Sequence, residues 1–185
     1  LLTGAGVSTD SGIPDYRGKG SPPRTPMRID QYMEDPQYRR RFWAGARVGS
    51  VRMGGVQPNA GHLALAHLEA AGRIDGVITQ NVDGLHRRAG SRTSRAEVLG
   101  AFDDLNPGFA EAHSDAEIAP DGDAIVDAGA EVIVPPCPVC GGILRPDVVY
   151  FGETVPTDVF AAAESLLGGA GALLLAGTSL AVNTG

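Results

Sequence analysis

The chain has 185 residues, enough for one domain or one domain with a small insert. Its apolar fraction of 43% permits a sizeable core, and 26 glycines beside few aromatics favour tight turns and close backbone contacts. A net charge of −7 argues against a general nucleic-acid or membrane-surface binder, no apolar run is long enough to span a bilayer, and two cysteines make no disulfide framework. A cytoplasmic protein without a signal peptide is the expectation. The ends suggest a fragment: Leu1-Leu2 resembles the last two residues of a strand, and Ala181–Gly185 stops just past a strand-and-loop signal.

In chain order, Leu1-Leu2 runs as a strand end into the glycine turn Thr3-Gly4-Ala5-Gly6. Residues 19–31 read as loop, with Pro22, Pro23 and Pro26. Asp35-Pro36 opens a helix carrying Tyr38, Phe42 and Ala46 on one face. Asn59 is a suitable N-cap for a second helix that closes at Gly72. Gly76–Thr79 is a short β-branched strand ending at Gln80-Asn81. Ser94-Arg95-Ala96-Glu97 has the form of a capping box, and its helix stops at Asn106-Pro107-Gly108.

From Ala96 to Leu144 there is no Lys or Arg, while Asp and Glu recur. That stretch reads as a solvated, mobile acidic insert, with an acidic partner surface as the alternative. Leu144–Phe151 then reads as strand, and Thr157 as the cap of a helix ending at Gly168-Gly169. Ala172–Ala176 is a continuous apolar run, as expected of a strand buried on both faces. Helices alternating with such strands predict an α/β fold with a Rossmann-type, doubly wound parallel sheet.

Four segments carry candidate chemistry. Gly4-Ala5-Gly6-Val7-Ser8 follows a strand, and its two glycines permit a tight turn and close approach to a pyrophosphate, with the next helix N-terminus supplying favourable charge. Thr9 stands where a third glycine is usual, so this segment alone is also compatible with an ordinary βα turn. It continues to Ser11-Gly12-Ile13-Pro14-Asp15-Tyr16-Arg17-Gly18. Later come Gln80-Asn81-Val82-Asp83, then Arg145–Glu153, then Gly177-Thr178-Ser179. Three of the four follow short strands, where open α/β sheets place ligands. Gln80, Asn81, Asp83, Thr178 and Ser179 offer polar groups for ribose hydroxyls and a carboxamide.

In combination these segments resemble the sirtuin family across essentially the whole chain, with the finer pattern similar to the bacterial, class II-like branch. The resemblance implies NAD-dependent removal of acyl groups from protein lysines, a large Rossmann-type domain and a small zinc-bearing module. By matching position, Gly4, Ala5, Gly6 and Ser8 would line the phosphates and nearby ribose. Ile13, Asp15, Tyr16 and Arg17 would belong to the loop over the nicotinamide ribose. Asn81 and Asp83 would form the nicotinamide pocket and carry the catalytic role, and Gln80 would touch a ribose hydroxyl. Gly177, Thr178 and Ser179 would hold the adenosine side. Val149, Phe151 and Gly152 would border the acyl-lysine tunnel. The implied reaction is substitution at the nicotinamide ribose carbon by the acyl oxygen, in a tunnel that excludes water.

The family's general-base histidine, in a His-Gly pair downstream of the Q-N-V-D segment, has no match: Arg87–Ser94 follows His86, and His113 precedes Ser114. The first Cys-x-x-Cys of the family is missing too, and one deletion near Ser91–Thr93 would remove both. His62, His67 and His86 read as structural. Cys137-Pro138-Val139-Cys140 has the shape of a zinc knuckle, but a structural zinc takes four ligands, so it offers half a site. Flanking prolines and glycines disfavour a thioredoxin-like pair. The expected division is 1–18, 75–91 and 144–185 for NAD binding, 19–74 for a cofactor loop and helical insert, and 92–143 for a zinc-module remnant. The function expected is a deacylase acting on acyl-lysine protein, weakened by the lost base. The alternatives are a non-catalytic NAD or ADP-ribose binding module, or a degenerate gene product, and an ADP-ribosyltransferase. A dehydrogenase is disfavoured, because hydride transfer needs neither tunnel nor knuckle.

Overall fold

The computed structural model describes residues 1–87, 94–146 and 148–181, with backbone alone at 87 and 94–98. The capping-box side chains Ser94–Glu97, the break near Ser91–Thr93, Asp147 and the last four residues lie outside the described residues. The chain forms two units, one of Leu1–Arg24, Val56–Ala89 and Thr154–Gly185, the other of Thr25–Gly55 and Gly90–Glu153.

The first unit is α/β. Strands β1 (Leu2–Thr3), β2 (Ile78–Thr79) and β3 (Leu175–Ala176) form a parallel sheet in the order β2-β1-β3. Leu2 pairs with Ile78 and Leu175, and Thr3 with Thr79 and Ala176. Parallel neighbours need crossovers, and the chain supplies α3 (Ala60–Ala70) before β2 and α6 (Thr157–Gly168) before β3. Because β1 is central, the chain leaves it to one side and later returns on the other, which makes the end of β1 a switch point.

Helix α3 starts at Asn59, whose side-chain oxygen accepts from the N–H groups of Gly61 and His62. It ends through Gly72 at φ +63°. The cap of α6 is Pro156, with Thr157 its first helical residue. The apolar run 172–176 departs from expectation: only Leu175–Ala176 is strand, and Leu173, Leu174 and Leu175 are all exposed. β3 is one of the two sheet edges among the described residues, and no side chain of α6 is buried.

The second unit is built on α2 (Pro36–Met53), with α1 (Ile29–Glu34), α4 (Ser94–Leu105) and α5 (Phe109–Ala112) around it. Asp35 caps α2 by accepting from the Gln37 N–H, and Pro36 at the first helical position loses no hydrogen bond. The core joins Trp43, Ala44, Ala46 and Val48 of α2 to Phe102, Ala110, Ala124, Val126, Ala128 and Val132.

The last four residues correct the reading of the acidic stretch as a solvated insert. Ala124, Val126 and Ala128 turn inward at every second position, while Ile125 and Asp127 face solvent. The acidic charge sits on the outward positions, and apolar alternation carries the packing. The strap docks where α2 has no side chains. The Ala124 N–H donates to the Gly45 carbonyl at 2.8 Å. A Cβ on Gly45 would stand 2.5 Å from the Ala124 carbonyl oxygen.

Among the described residues of 144–151 there is likewise no strand. Phe151 makes a parallel bridge to Arg28, with the Ile29 N–H donating to the Phe151 carbonyl at 3.1 Å. Pro146 has no N–H, and its carbonyl turns back to accept from Val148 at 2.9 Å. Tyr150 instead packs its ring against Tyr32 and Phe42. These contacts group 144–153 with α1 and α2, so the boundary expected at residue 144 moves to Thr154. Tyr32 anchors the cluster: its hydroxyl donates to the Leu144 carbonyl at 2.6 Å and accepts from Trp43 Nε1 at 2.9 Å. Burial pushes the Tyr32 pKa up to about 12.

Candidate functional site

In the first unit, each strand opens at its carboxyl end into one of the segments singled out above. β1 leads to Gly4–Ser8, β2 to Gln80–Asp83 and β3 to Gly177–Ser179. The three are drawn together by backbone bonds: Gly4 N–H to the Ala176 carbonyl at 3.1 Å, Gly6 N–H to the Gly177 carbonyl at 2.8 Å, and Gln80 N–H to the Thr3 carbonyl at 3.0 Å. The approach depends on absent side chains. A Cβ on Gly4 would lie 2.8 Å from Thr178 Cβ, and one on Gly6 2.9 Å from the Gly177 carbonyl. Gly177 adds a left-handed backbone, φ +63°, and faces the Val7 N–H.

The glycine turn does not open an α-helix. Ala5–Ser11 is a 3-10 turn ended by Gly12 at φ +87°. The reason is local competition for carbonyls. Asn59 Nδ2 donates to the Val7 carbonyl at 2.9 Å, and Thr9 Oγ1 donates to the Gly6 carbonyl at 3.0 Å. An α-helical continuation needs both.

Ser8, 1% exposed, is the centre of the polar network. Its Oγ donates to Asp83 Oδ2 at 2.6 Å and accepts from Asn81 Nδ2 at 3.3 Å. His62 Nε2 stands 3.4 Å away. His62 Nδ1 accepts the Asn59 N–H at 3.3 Å, so the proton of the neutral ring lies on Nε2 and points at Ser8. The hydroxyl thus uses its one proton and both lone pairs. Asn81 Nδ2 also reaches Asp83 Oδ2 at 3.3 Å, and Asp83 Oδ1 accepts the Leu85 N–H at 2.9 Å. Behind this layer, His86 Nε2 meets Thr3 Oγ1 at 3.2 Å, with the two imidazoles 4.8 Å apart. Burial depresses the pKa of both histidines. For His62 the neighbouring His86 adds to the effect and Asp83 opposes it.

A Ser, a His and an Asp meet here, yet not as a nucleophile. In an acyl-transfer triad the histidine takes the serine proton and the aspartate orients the histidine. Here Ser8 gives its proton to Asp83, and the second nitrogen of His62 is held by backbone. With the Ser8 hydroxyl fully bonded, the network is a platform that fixes Asn81 and Asp83.

Around it, Thr178 Oγ1 donates to Gln80 Oε1 at 2.8 Å, and Arg17 Nη1 donates to Ser179 Oγ at 3.1 Å. Asp15 accepts from the Gly18 N–H at 2.7 Å and from Ser21 Oγ, and these bonds, Ser21 first, hold its carboxyl below the usual range. Ile13 is buried and Tyr16 half-buried. Gln80 Nε2 and Ser11 Oγ are buried with no protein partner among the described residues. A dinucleotide fits this chemistry. Side-chain-free backbone suits phosphates, and the unsatisfied amide suits a ribose hydroxyl.

Val149, Phe151 and Gly152 belong to the second unit. Val149 is exposed, Phe151 pairs with Arg28, and Gly152 sits at φ +84° against the Arg28 guanidinium. Arg145 Nη1 donates to Glu153 Oε1 at 2.6 Å, and Glu153 Oε2 accepts the Tyr150 N–H at 3.1 Å. These bonds, Arg145 first, hold the Glu153 carboxyl low. Cys137 and Cys140 lie on a turn closed by Cys137 N–H to the Gly142 carbonyl at 2.9 Å and Gly141 N–H to the Cys137 carbonyl at 2.8 Å. Both thiols are free, and among the described residues no third His, Cys, Asp or Glu joins them. The set does not fit a four-ligand structural zinc within one chain.

Sequence reasoning did not single out Thr3 or Asn59 as part of the site. The Asn59–His62 spacing of a capping box was the available signal for the second.

Residues 4–184 match the profile of the Sir2 family. The chain is 49% identical to NAD-dependent protein deacetylase 1 of Mycobacterium avium over 208 residues, covering 100% of this chain and 74% of that protein. It is 44% identical to an NAD-dependent protein deacetylase of Xanthomonas axonopodis pv. citri, covering 100% and 71% respectively. Among solved structures, a Sir2 mutant bound to a p53 peptide and NAD matches with a TM-score of 0.67 and 32% identity, over 98% of this chain and 70% of that one. A Sir2 homologue mutant in complex with ADP-ribose matches with a TM-score of 0.66 and 33% identity, over 98% and 70%.

Proposed function

Because the chain belongs to the Sir2 family, we propose that it binds NAD at the joined ends of β1, β2 and β3 and uses it to remove acyl groups from protein lysines, with a turnover held down by the lack of a general base. The observation that carries the reading is the convergence of Gly4–Gly6, Gln80–Asp83 and Gly177–Ser179 around a saturated Ser8 network. Relatives named as NAD-dependent protein deacetylases support it.

When bound, NAD supplies a ribose carbon with a cationic leaving group. Gly4, Ala5 and Gly6 admit the phosphates, and Gly177, Thr178 and Ser179 hold the adenosine side. Gln80 Nε2 donates to a ribose hydroxyl. Asn81 and Asp83, fixed through Ser8, hold the nicotinamide end. Ile13, Asp15, Tyr16 and Arg17 form the loop that covers it, and Arg17 is tied to Ser179. Val149, Phe151 and Gly152 guide the acyl-lysine of a protein or peptide. The two free thiols suit a reducing, cytoplasmic setting.

The second reading is a non-catalytic NAD or ADP-ribose binding module. One observation favours it: none of the four histidines precedes a glycine. His62 and His86 are spent on Ser8, Asn59 and Thr3, while His113 Nδ1 meets the Phe109 carbonyl at 2.8 Å. The match to the Mycobacterium avium relative, 208 residues long against 185 here, leaves room for a missing internal stretch. Loss of a general base costs ~10²–10⁴-fold in rate.

The test incubates the chain with NAD and an acetyl-lysine peptide and follows nicotinamide by chromatography, with NAD binding measured by calorimetry. Slow, peptide-dependent release is the expected outcome. Binding without release favours the module, and ADP-ribose appearing on a protein acceptor favours the transferase. A chain that binds no NAD sinks all three.

A further inference from the structure

Resting on the strand-end NAD site proposed above, we propose that Lys19, on the loop over the nicotinamide end, takes an acyl group from an acyl thioester and that this modification loosens the chain's hold on NAD. Lys19 is the only lysine among the 185 residues. Every other residue in the Lys and Arg count is an arginine, whose guanidinium keeps its proton and is no target for an acyl donor. A donor therefore meets a single side-chain amine, and that amine stands two residues beyond Arg17.

The local structure presents this amine. The Ser21 N–H donates to the Gly18 carbonyl at 3.0 Å, and Gly20 sits at φ +92°, so residues 18–21 have the form of a type II turn with Lys19 and Gly20 at its tip. Asp15 fastens both ends of the turn, its carboxylate accepting from the Gly18 N–H at 2.7 Å and from the Ser21 hydroxyl. Lys19 and Gly20 are exposed, and a Cβ on Gly20 would meet nothing within 4 Å. Among the described residues, none holds the Lys19 ammonium. The backbone is thus fixed while the amine is open to a donor as bulky as an acyl thioester.

The same turn is tied to the strand ends. Arg17, just before it, donates from Nη1 to Ser179 Oγ at 3.1 Å. A dinucleotide brings two phosphate charges to a chain whose net charge is −7, and Arg17 and Lys19 are the two cations that residues 13–21 set against them. Acylation removes one of the two. In the step itself the ammonium releases a proton to solvent and the nitrogen attacks the thioester carbonyl carbon. A C–N bond forms and the C–S bond breaks. The departing thiolate takes up the second nitrogen proton, and nothing is oxidised or reduced.

The test uses the full chain with acetyl-coenzyme A as the donor. Tandem mass spectrometry should place an acetyl group on Lys19, added to the native chain as fast as to the chain unfolded in urea. NAD affinity, measured by calorimetry, should fall about two- to fivefold on acetylation at low salt, the scale of one exposed charge pair, and the difference should vanish near ~1 M salt. Lys19→Arg should keep the unmodified affinity and take no acetyl group at that position, and Lys19→Gln should show the weaker binding without any donor. Far-UV circular dichroism should be the same for every form. A Lys19 that reacts only in the unfolded chain, equal NAD affinity of the unmodified and acetylated chains, or a loss that Lys19→Arg shares would each overturn the proposal. Failure of the unmodified chain to bind NAD is a separate result, which overturns the strand-end site on which the proposal stands and is read before any acetylated form is compared.

Discussion

Ser8 Oγ has no hydrogen-bonding capacity left, and that sets the cost of changing it. Ser8→Ala leaves Asp83, Asn81 and His62 each short of a partner in a buried place, at a cost of about 1–3 kcal/mol. Its denaturation midpoint should fall accordingly, and its NAD affinity should drop because Asn81 and Asp83 lose their anchor. An unchanged midpoint would contradict the network. The histidines add a pH dependence. Both are depressed from the ordinary value of 6.5 by burial. The unfolded chain therefore binds more protons than the folded one just below that value, and stability falls as pH drops through 6.5 toward the folded pKa. Above 6.5 the contribution is fully present. Urea titrations across pH 5–8 should show this slope, and His62→Gln should flatten it. Tyr32→Phe tests the other unit: the Trp43 N–H is left without its acceptor, and a loss of about 1–3 kcal/mol is expected in the same assay. The types of Ser8, Asn81 and Asp83 were legible as a polar, nucleotide-facing set. Their wiring was not, because Ser8 finds Asp83 across 75 positions and His62 across 54. No spacing rule reaches that far.

At the scale of elements, α2 and its strap give a reversal of sign. In an exposed helix Gly→Ala stabilises by about 1 kcal/mol. At Gly45 the added Cβ meets the Ala124 carbonyl, and at Gly49 the Gly122 carbonyl, which are backbone and cannot swing aside. Gly45→Ala and Gly49→Ala should therefore lower the thermal midpoint. A rise in either would mean that the strap yields freely. The strap also shows why a charge count misled. Ala124, Val126 and Ala128 alternate as a half-buried extended segment does, but Asp121, Asp123 and Asp127 between them dominate composition. The same conflict misplaced 172–176, where an apolar run alone said buried strand. Burial needs a covering element, and α6 does not provide one there. Helix starts fared better, since Asp35-Pro36 and Asn59 act through neighbours two or three residues away.

The whole molecule was legible as an alternating α/β chain with strand-end ligand segments, and three such segments do meet. What sequence could not give was the partition. The second unit interrupts the first twice, and residues such as Phe151 are assigned by pairing with Arg28 rather than by neighbours in the chain. NAD should stabilise the first unit by linkage, about 2.7 kcal/mol at a hundredfold excess over its dissociation constant. A melting temperature that does not respond to NAD would count against the strand-end site.

The central position of β1 carries a cost that falls during synthesis. Leu2 is made before both of its partners, Ile78 and Leu175. At ~5–20 residues per second, the wait for Leu175 is roughly 9–35 s. Over that time Leu2 and Thr3 have one strand beside them at most, and the cofactor turn behind them lacks Gly177. The second unit, by contrast, has all its segments once Glu153 is made. The nascent chain should therefore acquire protease resistance in the second unit's segments, 25–55 and 90–153, before it can retain NAD, an order that ribosome-bound chains of increasing length would reveal.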